Sequence, residues 1–190
     1  MYDKGITTGL ERDLRNDVIA RKIYLCFPTS AFIGKEEIEF EVISSISSHF
    51  RIPFGNVQVA GSAKTGFSYY KSKKFVVGES DLDIAIIDKD LFINFCEIVL
   101  RETKGFKDLS SFGRTKDGDS HYNMYRNYIT KGIFRPDLMP TCEAKKKWFK
   151  YFSKLSEKYV DLFSDINAGI YVNEQFFEYK QADNIDFFNK

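Results

Sequence analysis

Two aspartates separated by one residue, Asp81 and Asp83, are the strongest candidates for chemistry in this sequence. They open the segment 81–87, whose apolar run predicts a buried β-strand. Because side chains alternate along a strand, both carboxylates are expected on one face. Two carboxylates so placed repel each other unless a cation lies between them, and Mg²⁺ is commonly held by one or two carboxylates together with substrate phosphates. The pair is therefore predicted to hold Mg²⁺, or Mn²⁺, and to act in phosphoryl-type chemistry.

A glycine-bearing turn upstream complements this pair. The segment 56–60 alternates like a half-buried strand, and Gly61-Ser62-Ala63-Lys64 follows at its end. A glycine at the end of a strand lets backbone N–H groups approach a phosphate closely, because no Cβ is in the way. The Ser62 hydroxyl and the Lys64 ammonium would add two donors. Gly61, Ser62 and Lys64 are therefore predicted to contact the phosphates of a nucleoside triphosphate, with the two aspartates as catalytic, metal-holding residues.

The two motifs together resemble the signature of a known superfamily. Val59-Ala60-Gly61-Ser62 followed by Ser80-Asp81-Leu82-Asp83-Ile84 is similar to the pattern of DNA-polymerase-β-like nucleotidyltransferases. The longer stretches 61–68 and 80–87 are similar to compact bacterial nucleotidyltransferase-domain proteins. The resemblance implies a polymerase-β-like fold, a small mixed sheet that carries a Gly-Ser phosphate turn and metal-binding aspartates. Some nucleotidyltransferases of similar size act in toxin–antitoxin or antiphage systems, so such a setting is also implied.

The activity that the resemblance implies is a Mg²⁺-dependent transfer of a nucleoside monophosphate. The donor would be a nucleoside triphosphate, the acceptor a hydroxyl group on a protein, an RNA or a small molecule, and the leaving group pyrophosphate. The alternative is a catalytically degenerate protein that binds a nucleotide or a partner on the same fold. A third class is a purely structural interaction module, suggested by the aromatic C terminus with Phe176, Phe177, Phe187 and Phe188.

Two departures from the superfamily pattern bear on the site. A third carboxylate usually lies on a later strand, and here Asp165, just before the predicted strand 166–172, is the candidate third metal ligand. Asp137 in an Arg-Pro-Asp turn is the other candidate. The gap between the two motifs is also longer than in minimal family members and contains the lysine-rich segment 69–74, either a substrate-recognition loop or a solvated hairpin. Absence of a third carboxylate would favour the degenerate alternative.

Weaker patterns occur elsewhere. Gly61 and Gly66 are spaced as in a P-loop, but Phe67 stands where that loop needs its lysine, so a P-loop is rejected. Arg135 and Lys131 are further candidates for a phosphate contact. Four lysines recur at every fourth residue on one face of a predicted helix: Lys146, Lys150, Lys154 and Lys158. They form either a cationic track for RNA or triphosphate or an ordinary solvated helix face. The near-neutral net charge favours the solvated face.

The surrounding pattern predicts the elements that position these residues. Apolar periodicity predicts helices over 11–26, 36–50, 89–102, 142–163 and 174–188, and strands over 56–60, 81–87 and 166–172. Residues 105–121 are typical of a loop, and 122–140 are ambiguous. This order predicts an α/β (α+β) fold with a small mixed sheet flanked by helices. We expect one nucleotidyltransferase-like domain over 1–190, with helical elements at about 1–50 and about 142–190 packed on the core sheet.

Composition sets outer limits on function. The chain has 190 residues, enough for one domain with a sizeable core, and its net charge of +1 argues against a purely charge-driven nucleic-acid binder. Three scattered cysteines and two histidines argue against a zinc site or a disulfide scaffold, and each cysteine is expected to be buried. No apolar run reaches the roughly 20 residues of a membrane span, and the polar start does not resemble a signal peptide. We therefore expect a cytoplasmic protein without a membrane partner, while the nucleotide base, the acceptor and the oligomeric state stay open.

Overall fold

The computed structural model describes residues 1–116 and 118–188, and residues 117, 189 and 190 lie outside the described part. Its architecture is α+β, with a small mixed sheet flanked by helices. The strands are β1 (Val57–Ala60), β2 (Phe67–Ser68), β3 (Lys73–Lys74), β4 (Leu82–Ile87), β5 (Ile133–Phe134) and β6 (Ile166–Tyr171). The helices are α1 (Tyr2–Glu11), α2 (Asn16–Arg21), α3 (Glu36–Phe50), α4 (Gly61–Thr65), α5 (Lys89–Glu102), α6 (His121–Ile129), α7 (Glu143–Lys158) and α8 (Glu174–Asp186). A π-helical turn continues α2 over Lys22–Cys26, and 3₁₀ turns occupy Ser30–Phe32, Phe54–Asn56 and Pro136–Leu138.

The main sheet has the strand order β1-β4-β6-β5, and β2 and β3 form a separate hairpin. Strand β4 is antiparallel to β1 and parallel to β6. The register pairs Asp83 with Ala60 on one side and with Asn167 on the other. Strand β5 is antiparallel to β6 and pairs with only its last two residues, Ile170 and Tyr171. No other described strand pairs with the outer edge of β6.

The two faces of the sheet are buried in separate apolar clusters, because side chains alternate along each strand. Leu82, Ile84 and Ile86 of β4 belong to the larger cluster, to which α3, α5 and α7 contribute their apolar faces. Ala85 and Ile87 belong to the second cluster, to which α1, α2 and α8 contribute. Asp83 shares its face with Ala85 and Ile87, so its carboxylate lies at the end of the second face.

Side-chain caps begin the helices that follow the two parallel strands. Asp88, directly after β4, accepts a hydrogen bond from the Leu91 N–H and begins α5. Asn173, just after β6, accepts one from the Phe176 N–H and begins α8. Each strand thus leads at once into a helix that packs on the sheet. None of the helices in the described ranges combines the length and the apolarity needed to cross a bilayer.

Most of the predicted elements are confirmed. The helices predicted over 36–50, 89–102 and 174–188 are present as α3, α5 and α8, and the three predicted strands are present as β1, β4 and β6. The ends differ by at most two residues. The expectation of a small mixed sheet flanked by helices is confirmed as well.

Other predictions were incomplete or wrong. The polar start of the chain forms α1, because Gly5 and Gly9 allow that helix to pack closely against Ile23 and Ile19. The helix predicted over 11–26 begins only at Asn16, the helix predicted over 142–163 ends at residue 158, and the ambiguous region contains α6 and β5. Of the cysteines predicted to be buried, Cys142 is buried, Cys96 is half-buried and Cys26 is exposed.

Candidate functional site

The two aspartates lie where β4 begins, beside the turn that follows β1. Because the antiparallel register pairs Ala60 with Asp83, the next residue, Gly61, lies directly against the Asp83 carboxylate. Gly61, Ser62, Asp81 and Asp83 all line one cavity. The structure thus brings together four of the six residues that sequence analysis assigned to the phosphates and the metal; Lys64 and Asp165 do not line this cavity.

Gly61 is the point of closest approach between the turn and the acidic pair. Its φ is 62°, in the left-handed region that glycine adopts without steric cost. A Cβ built at this position would fall less than 3.0 Å from Asp83 Oδ2, closer than real Cβ atoms approach another atom. Only glycine fits here with the Asp83 carboxylate in its present position.

The two carboxylates differ in their surroundings. Asp81 is exposed, and its Oδ1 accepts a hydrogen bond of 2.7 Å from the Ser164 hydroxyl. Asp83 is also exposed at the cleft, although the Gly61 backbone covers its carboxylate on one side, and no described residue donates a hydrogen bond to it. This partial burial, and then the negative charge of Asp81, raise the pKa of Asp83 above its ordinary value. A bound cation would relieve both effects.

Two adjoining cavities meet at Asp83 and form one cleft. The hairpin-side cavity, of about 930 Å³, lies between the β2–β3 hairpin and α8 and is lined by Gly61, Ser62 and both aspartates. The β6-side cavity, of about 590 Å³, runs from Asp83 along β6 to α7. Residues common to both cavities are Gly61, Lys71, Asp83, Tyr128, Lys180 and Asn184.

Three lysines of the hairpin face the acidic pair across the hairpin-side cavity. Lys71, Lys73 and Lys74 are exposed, line this cavity and form no ion pair with any described residue. The charge of Lys71 acts on Asp83 and partly offsets the rise in its pKa. Unpaired cations next to two carboxylates suit a polyanion that arrives with its own divalent cation. These lysines lie in the segment that sequence analysis left open between a recognition loop and a solvated hairpin.

Lys64 is the predicted phosphate ligand that the structure does not place in the cleft. It lies in α4, is only 4% exposed and donates a 2.8 Å hydrogen bond from Nζ to the Phe27 carbonyl. It lines neither cavity of the cleft. Burial lowers its pKa to about 8. In a one-turn helix only some side chains can point to the cleft, and Lys64 lies on the side that packs against the N-terminal segment.

The two candidates for a third carboxylate line the β6-side cavity, where each has a side-chain partner. Asp165 accepts a 2.7 Å hydrogen bond from the Ser156 hydroxyl of α7, and Asp137 forms a two-pronged ion pair with Arg135. The residue that lies beside Asp83 on β6 is an amide, Asn167. Within residues 1–116 and 118–188, no three His, Cys, Asp or Glu side chains are grouped so that they could hold a metal.

Other cleft residues were missed by sequence analysis. Tyr128 of α6 and Lys180 of α8 line both cavities, and the Arg135 guanidinium donates to the Tyr128 hydroxyl at 3.1 Å. Arg135, which was named as a possible phosphate contact, lines the β6-side cavity and pairs with Asp137 at 2.6 Å, and its charge still acts to lower the pKa of Asp83. Tyr128 and Lys180 come from segments more than 40 residues from the motifs, and no local pattern marks them.

The lysine face of α7 lies outside the acidic site. Lys146, Lys150 and Lys154 are exposed and line neither cavity of the cleft, while Lys158 pairs with Glu41 at 2.9 Å. The opposite face of the helix packs into the larger cluster through Trp148, Phe152 and Leu155. This arrangement agrees with the interpretation of a solvated amphipathic helix.

Comparisons of the chain with protein-family models, with curated proteins and with solved structures found no significant match.

Proposed function

We propose that this protein is a divalent-metal-dependent nucleotidyltransferase with a polymerase-β-like fold, which moves a nucleoside monophosphate from a nucleoside triphosphate to an acceptor hydroxyl. The observation that carries the proposal is the meeting of Asp81 and Asp83 with Gly61 and Ser62 around one cleft. The resemblance of these two motifs to the superfamily signature supports it.

The charges of the cleft support a triphosphate rather than a neutral substrate. Lys71, Lys73 and Lys74 lie across from the acidic pair and have no partner among the described residues. Gly61 allows a phosphate oxygen to approach the backbone, and the Ser62 hydroxyl adds a donor. Asp81 and Asp83 would hold Mg²⁺ or Mn²⁺ together with phosphate oxygens, in accordance with the preference of these ions for oxygen ligands. When bound, the metal ion supplies positive charge where negative charge accumulates.

The proposed reaction is a single displacement at the α-phosphorus. The acceptor hydroxyl oxygen forms a bond to phosphorus, and the bond from phosphorus to the bridging oxygen of the β-phosphate breaks. Pyrophosphate leaves with the electrons of that bond, and the hydroxyl proton passes to water in the open cleft. The residues of this chain hold the triphosphate on the hairpin side and fix its position relative to the acceptor. The reaction is accelerated because the reactants are positioned and the developing negative charge is stabilised.

The test is nucleotide-specific label transfer. The protein is incubated with each of the four α-labelled nucleoside triphosphates, Mg²⁺ or Mn²⁺ and a cell extract, and both pyrophosphate and labelled product are measured. Asp81→Asn and Asp83→Asn should each lower pyrophosphate release by roughly 100-fold or more. The matched control is Asp161→Asn, an exposed aspartate that lines neither cavity of the cleft, and it should retain activity. Unchanged turnover in Asp83→Asn would refute the proposed role of the pair.

A second candidate function is nucleotide binding without turnover. It is favoured by Asn167, an amide at the position beside Asp83 where a third carboxylate would face the pair. A pure binder would show a nucleotide-dependent rise in thermal stability, about 2.7 kcal/mol at a ligand concentration of 100 times Kd, with no pyrophosphate. Asn167→Asp would then be expected to strengthen divalent-metal binding, since it adds a negative charge next to Asp83.

A further inference from the structure

The outer edge of β6 carries backbone groups without partners at the floor of the β6-side cavity. Hydrogen bonds from Leu82 N–H to the Asp165 carbonyl and from Asp88 N–H to the Tyr171 carbonyl fix the ladder between β4 and β6. Groups alternate along a strand, so the odd-numbered residues of β6 bond to β4 and the even-numbered residues point to the outer edge. The bond from Val172 N–H to the Gly132 carbonyl, on the outer side, agrees with this assignment.

Ala168 is the residue at which this outer edge is open. Ile166 N–H, one pleat earlier, is satisfied by the Ser156 hydroxyl at 2.8 Å, and Ile170, one pleat later, pairs with Phe134 of β5. No described residue hydrogen-bonds to the N–H or the carbonyl of Ala168, or to the carbonyl of Ile166. The edge therefore offers one hydrogen-bond donor, the Ala168 N–H, and two acceptors, the carbonyls of Ile166 and Ala168. Their spacing is that of backbone groups along one edge of a β-strand.

Pro136 is the reason that β5 does not cover this edge. Continuing the β5–β6 register beyond the Phe134–Ile170 pair would set position 136 opposite Ala168. Proline has no N–H to donate to the Ala168 carbonyl, and here it begins the 3₁₀ turn Pro136–Leu138. The chain therefore leaves the sheet at the position where the next pair of ladder bonds would form.

The surroundings of this edge suit a neutral main chain better than a polyanion. The α7 wall of the cavity consists of Trp148, Phe149, Phe152 and Ser153, and Asp165 lies at its end. The Arg135 guanidinium is held in an ion pair with Asp137. Of the three unpaired lysines of the hairpin, Lys73 and Lys74 line only the hairpin-side cavity, and Lys71 lines both cavities near Asp83. The phosphates of an RNA strand laid along β6 would lie beside the carboxylates of Asp165 and Asp137. Lys71, near Asp83, is the only lysine without an ion pair among the described residues that line this cavity.

We propose that the free edge of β6 at Ala168 pairs with an extended polypeptide segment, and that this segment carries the acceptor hydroxyl. The inference rests on the proposed function, to which it adds the class of the acceptor: the hydroxyl of a serine, threonine or tyrosine in an unfolded or loop segment of a protein. Backbone pairing supplies the docking, as in other complexes in which a peptide adds a strand to a sheet.

The register of the sheet brings such a hydroxyl to the acidic pair. A peptide residue opposite Ala168 would direct its side chain to the Ala168 face, and its two neighbours would direct theirs to the face shared by Asp83 and Asn167. A neighbour opposite Asn167 would lie two strand spacings, about 10 Å, from the Asp83 backbone. Side chains and one intervening phosphate can span that separation. The acceptor would thus approach from the side opposite the hairpin lysines, as an in-line displacement requires.

Hydrogen exchange at Ala168 tests the docking without any turnover. The full chain is mixed with a pool of randomised 12-residue peptides that each carry one central Ser, Thr or Tyr, and the exchange of single amides is followed by NMR. We expect Ala168 to exchange at least tenfold more slowly with the peptides, while Asn167 and Gly169, which bond to β4, are unchanged. A pool of the same composition with N-methylated backbones should have no effect. Unchanged exchange at Ala168 would overturn the inference.

Label transfer tests the acceptor role on the same peptides. Ala168→Pro removes an outward-pointing N–H and fixes φ at about −65°, while the bonds of Asn167 and Gly169 to β4 need no N–H of residue 168. The variant should lower peptide labelling roughly tenfold while nucleotide binding stays within twofold and the melting curve stays cooperative. The control Lys146→Gln/Lys150→Gln/Lys154→Gln alters exposed lysines outside the cleft and should label peptides normally. If the wild type labels RNA oligonucleotides and the triple variant does not, the inference is overturned in favour of a nucleic-acid acceptor. Protection of Ala168 with no turnover by any acceptor would refute the proposed function and the acceptor role together, while docking at the edge would stand.

Discussion

The backbone of Gly61 lies so close to the carboxylate of Asp83 that a β-carbon at position 61 would fall within 3.0 Å of Asp83 Oδ2. The contact joins the end of β1 to the start of β4, and the antiparallel pairing of Ala60 with Asp83 holds it in place. The glycine of the first motif and the second aspartate of the second motif therefore form one structural unit. A substitution at either residue should change the position of the other.

Replacement of Gly61 by alanine should damage both stability and the site. A left-handed φ costs an L-residue roughly 1–2 kcal/mol, and the new methyl group must also displace the Asp83 carboxylate. We expect a loss of about 1–2 kcal/mol in the free energy of unfolding and at least a tenfold loss in affinity for a Mg²⁺-nucleotide complex, measured by denaturant titration and calorimetry. Gly55→Ala is the matched control, because a Cβ there meets nothing within 4 Å. Equal effects at both positions would contradict the close approach.

Asp83→Asn should stabilise the protein near neutral pH while it weakens metal binding. The pKa of Asp83 is raised in the folded state, so between its ordinary value of 3.8 and the raised value the folded protein binds more protons than the unfolded chain. Stability then falls as pH rises through this range. Asparagine cannot ionise, so the variant should melt at a higher temperature than the wild type at pH 7, and its advantage should shrink as the pH falls towards 3.8. A variant less stable than the wild type at pH 7 would show that the carboxylate is stabilising.

Lys64→Met should leave nucleotide affinity within twofold of the wild type, because Lys64 lines neither cavity of the cleft. Its effect should instead appear in the pH dependence of stability. Burial lowers the pKa of Lys64 from 10.5 to about 8, so above pH 8 the unfolded chain binds more protons and stability rises with pH. Relative to the methionine variant, the wild type should gain about 2 kcal/mol between pH 7.5 and 9.5, as measured by denaturant titration. A large loss of nucleotide affinity would restore the role that sequence analysis gave to Lys64.

Arg21→Ala should loosen the contact between α2 and α8. Arg21 Nε and Nη2 donate to the Glu178 carboxylate at 2.6 and 2.8 Å, and Glu178 is only 3% exposed. Removal of the cation leaves a buried carboxylate unpaired, which should cost about 2–3 kcal/mol because the arginine itself is half exposed. Adding Glu178→Gln to this variant should recover part of the loss in urea denaturation. The control Arg101→Ala breaks an exposed pair with Glu97 and should change stability by less than about 0.5 kcal/mol.

The local pattern of apolar and polar residues was sufficient to predict many of the helices and strands of this protein. The apolar periods of 36–50 and 89–102 specify α3 and α5, and the apolar run of 81–87 specifies β4, because burial of one face or of a whole strand demands such patterns. The alternation of β4 puts Asp83 on the face of Ala85 and Ile87, and Asp81, one residue before the strand, lines the same cavity as Asp83. The glycine of the turn marked the position where no side chain fits. These features depend on neighbours in the chain, so the sequence alone could show them.

Tertiary structure decided what surrounds the acidic pair. Lys64 lies two residues from Ser62, yet packing against the N-terminal segment turns it away from the cleft, and Lys71 of the hairpin faces the pair instead. Asn167 becomes the neighbour of Asp83 only through parallel pairing of strands more than 80 residues apart. The free edge at Ala168 depends on where β5 meets β6 and on the departure of the chain at Pro136. Long-range packing sets the strand order, the register and the face of each helix that is buried. A short stretch of sequence carries no information about such contacts.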